Sequence, residues 1–249
     1  MLSLRMSTPR HAREEGERPF WISFSDLMSA LMVLFLVALS VALLAVTKKI
    51  SDEERDEKER SQEISELVKE IEAIAKDLGG NVIGTTIDFG VKGRFEREGQ
   101  NTLSANQREV LMEFTPRLLN RLRTPDGAKW FKRAVVEGYA SQSGKYLFNL
   151  NLSLERSERV LCELLREQPG GRQLSFEDRQ LIATRFFVGG ASFNSLRTTA
   201  EDSRRIEFKL EFKSRQELKD EQAHPAPPVN EQALAQALDP KERCPIQDR

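Results

Sequence analysis

Two sets of residues in this chain have the type and spacing to do chemistry, one around a lone carboxylate and one around an arginine. Asp26 stands at the front of Leu27 to Val46, an uncharged run that as a helix reaches about 30 Å, the thickness of a bilayer's hydrocarbon core. An ionised Asp at the centre of such a helix costs about 2.5–3.5 kcal/mol on insertion scales, and the run supplies no cation to offset it. A carboxyl so placed is poised to take up and release a proton, which makes Asp26 the candidate proton-binding residue. At about 100° per residue, Ser29, Ala30, Val33, Val37 and Ser40 fall on its face, while Phe24, Met28, Leu31 and Phe35 fall opposite. Ser25, Ser29, Ala30 and Val33 are the candidate pore-facing residues, on a small, weakly polar surface suited to helix pairing. The plainer alternative is an interfacial Asp that complements the macrodipole at a helix start.

The second set lies in Asn149-Leu150-Asn151-Leu152-Ser153-Leu154-Glu155-Arg156. Asn149, Leu152 and Arg156 recur at helical spacing and share one face. Arg156 can grip a carboxylate through two charge-assisted bonds, and Asn149 offers a donor and an acceptor to a peptide backbone. Leu152 can line the pocket between them, and Arg159 extends a positive rim. Such a face suits a peptide bearing carboxylates. The alternative is that Arg156 pairs with Glu155 or Glu163 on a solvated helix.

The elements that must position these residues follow from composition and pattern. A chain of 249 residues holds one span and one domain of ordinary size. Its net charge of -1, with 31% charged residues of both signs, excludes a nucleic-acid footprint. Cys162, inside the apolar Val160-Leu161-Cys162-Glu163-Leu164-Leu165, reads as core packing. Cys244 lies in a polar tail, and the two show no metal-ligand spacing. Neither His11 nor His224 lies in a domain and no nucleophile–base pair stands out, so no enzyme active site, metal or bound cofactor is expected.

Residues 1–19 read as a short tail, and 20–47 as the transmembrane helix. The run is longer than a signal peptide's apolar region and carries an acid, so an uncleaved anchor is expected. Arginines precede it and Lys48, Lys49, Arg55, Lys58 and Arg60 follow it, so the positive-inside count does not decide orientation. Residues 48–80 form a charged linker in which Ile64, Leu67, Ile71, Ile74 and Leu78 make a 3-4 seam. That seam fits either a short coiled coil or packing against the next domain. Residues 81–213 alternate strand and helix, with a strand over 82–89, a capping box at Ser104–Gln107, strands over 134–137, 185–188 and 205–212, and helices over 149–166 and 175–183. The Pro-rich residues 214–249 read as disordered.

Two resemblances sharpen this reading. Trp21-Ile22-Ser23-Phe24-Ser25-Asp26-Leu27-Met28 and the apolar run behind it resemble the MotB-type stator subunits of ion-driven rotary motors, in particular those of the Zorya anti-phage defence system. Residues 84–213 resemble the OmpA-like peptidoglycan-binding domain. Its Gly-His-Thr-Asp-x-x-Gly corresponds to Gly138-Tyr139-Ala140-Ser141-Gln142-Ser143-Gly144, and its Asn-x-x-Leu-Ser-x-x-Arg-Ala to Asn149 through Ser157. Phe95-Glu96 to Leu103-Ser104 and Asp202-Ser203-Arg204-Arg205-Ile206-Glu207 resemble two further landmarks.

The fold class implied is a single N-terminal transmembrane helix plus an α/β (α+β sandwich) OmpA-like C-terminal domain. The resemblance implies an inner-membrane protein with its N-terminus in the cytoplasm and its domain in the periplasm. It implies a homodimer inside a MotA/ZorA-type pentameric membrane ring, with Asp26 carrying the ion. It also implies peptidoglycan binding by Phe148, Asn149, Leu152, Arg156, Ser141 and Arg159. Ser141 departs from the pattern, because it stands where the family has an Asp that accepts the diaminopimelate amine, and a neutral contact is weaker than a charged one. Ser25 and Ser29 could ligate sodium, but the span offers few oxygens, so a proton is favoured. A flagellar stator, in which Tyr-Ala-Asp usually replaces Phe24-Ser25-Asp26, and a passive membrane-to-wall tether remain alternatives.

Overall fold

The computed structural model describes residues 18–225, 227 and 229–249; nearly all of the tail expected over 1–19 lies outside them. The chain divides into two compact units between Asp56 and Glu57. Helix α1 (Arg18–Asp77) begins in the first and ends in the second.

In the first unit the apolar run of α1 turns its side chains outward all round, with Leu34 and Leu44 about 70% exposed. It is the one helix among the described residues long and apolar enough to cross a membrane. The polar hydrogens of Ser40 and Thr47 are satisfied within the helix, on the carbonyls of Leu36 and Leu43 at 2.8 and 2.9 Å. A helix meant for lipid needs this, because no water is there to take those bonds.

The second unit contains β1 (Asn81–Ile83), β2 (Thr86–Asp88), α2 (Ala105–Leu122), α3 (Pro125–Trp130), β3 (Phe131–Gly138), α4 (Tyr146–Leu165), α5 (Phe176–Arg185), β4 (Phe186–Gly190), α6 (Ala200–Ser203), β5 (Ile206–Phe212), α7 (Arg215–Ala223) and α8 (Glu231–Ala237). The sheet order is β1-β2-β5-β3-β4, antiparallel except for the parallel pair β3–β4. Residues 82–89, expected as one strand, form the β1–β2 hairpin instead, because Gly84 takes a left-handed φ of 63° and turns the chain.

Register places Ala134 opposite Leu210 and Val136 opposite Phe208, so these alternate residues share one sheet face. They pack there with Phe114 and Leu118 of α2, Val160 and Leu164 of α4, and Ile182 of α5 in a single core. Phe89, Phe114 and Phe208 meet edge-on at its centre, with centroids 4.9–6.3 Å apart. The result is the α/β sandwich that the sequence implied. Helix α2 opens on the expected capping box, in which Ser104 Oγ accepts from Gln107 N–H and Gln107 Oε1 accepts from Ser104 N–H.

Of the two alternatives for the 3-4 seam, the structure shows packing against the domain: Leu67, Ile71 and Leu78 are buried in its core, with Ile74 packed against it. The acids flanking that seam find partners on the domain, Glu63 with Lys129 at 2.7 Å and Asp77 with Arg117 at 2.6 Å. Two other expectations need correction. Cys162 is not merely packing, for it forms a disulfide with Cys244. Residues 214–249, expected as disordered, carry α7 and α8. Helix α7 has its own capping box at Ser214 and Glu217, and Lys132 pairs with Glu217 at 2.5 Å. Composition missed this order because the segment buries little of its own apolar surface and is held by ion pairs, backbone bonds and the disulfide.

Helix α4 sits unusually close to the sheet. A Cβ on Gly138 would lie 1.9 Å from the Ser153 carbonyl oxygen, and one on Gly190 would lie 2.8 Å from Ser153 Oγ. Gly138→Ala is therefore expected to push α4 away and to cost about 3 kcal/mol, the upper end of ordinary overpacking. Urea unfolding of the full chain measures this, and an unchanged midpoint would mean that α4 can shift freely.

Candidate functional site

On α1, Asp26, Ser29, Ala30, Val33 and Val37 line one groove with Leu34 and Ala38. Helical geometry alone gathers them, since each lies three or four residues from another of the set. Ser25 is exposed beside the groove and is not among its lining residues. The groove is shallow enough for another helix to approach, and Asp26 is its one ionisable group. Such an arrangement can present a carboxyl to a partner surface.

The second site is built on α4 and on the loop that follows β3. Asn149, Leu152, Arg156 and Arg159 all lie on the buried side of α4. Arg156 is fully buried; its Nε donates to Gln100 O at 2.8 Å and its Nη1 to Tyr139 O at 2.6 Å. Its guanidinium carbon lies 4.4 Å from the centre of the Phe95 ring, a favourable cation–π contact in a desolvated place. Burial, and then the neighbouring Arg204 guanidinium, pull Arg156 down from the ordinary arginine range to about 9, so the group remains charged at neutral pH. Neither filled bond goes to a carboxylate, and Nη2 has no partner among the described residues. A buried cation without a counterion is costly and favours an incoming anion.

Asn149 is buried and donates from Nδ2 to Ser143 O at 2.7 Å, leaving its Oδ1 as an acceptor. The loop between β3 and α4 is thus held at two points, Tyr139 by Arg156 and Ser143 by Asn149. Ser141 in that loop and Leu152 on α4 are buried, and Phe148, near the start of α4, stands half-exposed. Arg159, 5% exposed, gives Nη2 to Asp248 at 2.7 Å, while its Nε has no partner among the described residues.

Tyr139 is also fixed from the opposite side. The Arg205 guanidinium lies 4.1 Å from its ring centre, and its hydroxyl donates to Glu137 at 2.6 Å. Burial, followed by that bond to Glu137, pushes the Tyr139 phenol well above its ordinary range. Arg205 and Arg197 both donate to Glu207, at 2.7 and 2.8 Å, and so complete a rigid floor under the loop.

Sequence reasoning did not reach three participants. Asn101 is fully buried and donates to Glu155 at 3.0 Å. Phe95 was recognised only as part of a landmark, not as the ring beneath Arg156. The segment around Asp248 was read as tail; the even cysteine count was the one signal that could have brought it back to α4.

The fold and the two sites define a class: an α/β domain with a buried arginine on α4, on a chain with one helix among the described residues long and apolar enough to cross a membrane, and Asp26 at the front of its apolar run. No protein-family model matches the chain. It is 39% identical over 204 residues to the Zorya protein ZorB of Escherichia coli O139:H28 (strain E24377A / ETEC), an alignment covering 80% of this chain and 82% of that one. The chain belongs to the ZorB family. Among solved structures it is similar to the OmpA-like domain of a Francisella tularensis subsp. tularensis SCHU S4 protein, at 16% identity, 54% and 82% coverage and a TM-score of 0.35. It is also similar to the periplasmic domain of Helicobacter pylori MotB, at 9% identity, 58% and 94% coverage and a TM-score of 0.40.

Proposed function

We propose that this chain is the wall-anchored, ion-carrying subunit of a MotA/MotB-type rotary motor complex acting in Zorya anti-phage defence. The observation that carries the reading is the 39% identity to a Zorya protein over four-fifths of the chain. The lone acid on the small-residue face of the apolar helix supports the ion-carrying part. The chain crosses the inner membrane once, with its N-terminus in the cytoplasm and its α/β domain in the periplasm. A membrane partner is needed, because a single helix cannot line a water path and its carboxylate must face other protein; the resemblance to MotB-type stators implies two copies inside a pentameric MotA/ZorA-type ring.

A proton arriving from the periplasm neutralises Asp26, and its release to the cytoplasm restores the charge. A neutral carboxyl can leave a polar contact that an ionised one keeps, so each cycle biases the ring toward its next position. The α4 face holds the stationary part to peptidoglycan. There Arg156 Nη2 and Arg159 attract a stem-peptide carboxylate, Asn149 Oδ1 accepts from the peptide backbone, and Phe148 and Leu152 supply apolar surface. Ser141 offers a neutral contact at this site.

Deleting the chain from cells that carry its native neighbours is expected to abolish phage protection and leave swimming intact. The purified full chain is expected to co-sediment with cell-wall sacculi. Retained protection sinks the defence role, and lost swimming transfers the same chemistry to a flagellar motor.

A further inference from the structure

Residues 240–249 run back along α4 in the opposite direction, and they contact the ligand face itself. Glu167 N–H donates to Pro240 O at 2.8 Å, Cys162 is bonded to Cys244, and Arg159 reaches Ile246 O at 3.3 Å and Asp248 at 2.7 Å. Arg249 then pairs with Glu155 at 3.2 Å and lies 5.8 Å from the centre of the Phe148 ring. At the far end Asn101 donates to Gln247 O at 2.8 Å and accepts from Arg249 N–H at 2.9 Å.

Two features separate this from incidental packing. The partners on α4 descend in order while those on the segment ascend, roughly one attachment per helical turn, as for a peptide docked along a helix. Asp248 also brings a carboxylate to Arg159, which is the group a wall peptide would bring, and it does so on a guanidinium that burial leaves short of partners. Asp248 itself is 76% exposed, so its end of the pair is solvated and open to exchange. The covalent bond at Cys244 and the bonds to Asn101 keep the segment in place.

We propose that segment 240–249 is a built-in occupant of the ligand face, clamped by the Cys162–Cys244 bond, and that a carboxylate-bearing wall peptide binds by displacing Asp248 from Arg159. The inference rests on the reading of α4 as the wall-binding face. A tether of a few residues holds Asp248 near Arg159 at an effective concentration on the order of millimolar. An incoming carboxylate competes with that local excess. Without the clamp the segment is held only by its hydrogen bonds and ion pairs, those to Asn101 and Arg159 among them, and the face is freer to bind.

The test measures co-sedimentation of the full chain with purified sacculi over a range of sacculus concentrations, comparing wild type with Cys244→Ser and Asp248→Ala. Half-saturation is expected to fall about fivefold in Cys244→Ser and at least twofold in Asp248→Ala, in line with loss of an effective millimolar competitor. Asp248→Ala leaves the disulfide in place and changes one exposed side chain, so it reports on displacement even if Cys244→Ser loosens the fold. With wild type, added muropeptide is expected to speed tryptic cleavage at Lys241 and Arg243. Binding by both variants equal to or weaker than wild type overturns the inference and makes the segment a structural brace. Sedimentation by none of the three overturns the wall-binding reading, and this inference with it.

Discussion

Replacing Asp26 with Asn is expected to lower phage protection to the level of a deletion, scored as efficiency of plating, while the complex still assembles in a membrane pull-down. Asn keeps the size and the hydrogen-bonding capacity of the acid but cannot take up or release a proton. Shape-dependent contacts in the groove formed with Ser29, Ala30 and Val33 therefore survive, and only the titration is lost. An all-or-none result is expected, because no second ionisable group lines that groove. A motor that moves protons through this carboxyl has no carrier once it is removed, whereas a passive tether would lose nothing. Full protection by Asp26→Asn would leave the tether standing. Ser29→Ala separates the two ions: it removes a hydroxyl oxygen from the groove without touching the acid, so a proton carrier should keep most of its activity and a sodium carrier should not.

How much of this was legible in the sequence varied with the range of the interaction that decides each element. The Asp26 face, the α2 capping box and the α4 face depend on residues within about three helical turns of one another, and their spacing alone brings them together. The seam at Ile64 to Leu78 was ambiguous for a physical reason, since a 3-4 stripe says that something apolar will cover it without saying what. Here the covering surface is the domain core. The β1–β2 hairpin turned on the single left-handed Gly84. The disulfide joins residues 82 apart, and the strap it anchors is polar and proline-rich, so neither hydrophobic period nor composition betrays it. Within the candidate site the residue types were readable, but the direction of their bonds was not. Arg156 gives one donor to Tyr139 O and Asn149 one to Ser143 O, both in the loop after β3, and Arg156 gives another to Gln100 O.

That double duty of Arg156 yields the second large effect. Arg156→Ala is expected to destabilise the domain by about 4 kcal/mol, seen as a lower urea midpoint for the full chain. It removes two charge-assisted bonds, to Gln100 O and Tyr139 O, each worth about 1.5–3 kcal/mol, together with the contact to the Phe95 ring, worth about 2 kcal/mol when desolvated. Against that total stands the relief of a buried cation that has no carboxylate partner, which returns a few kcal/mol, and the balance still favours the native arginine. An unchanged midpoint would show that the loop after β3 is held by Tyr139, Arg205 and Glu207 without help from α4. Arg156→Lys distinguishes clamping from ligand binding. Lysine restores the charge and one of the two carbonyl bonds but lacks the planar fork, so it should recover about half of the lost stability. If Nη2 meets the ligand, Arg156→Lys folds and still fails to sediment with sacculi. If Arg156 only holds the loop, binding returns in step with the urea midpoint.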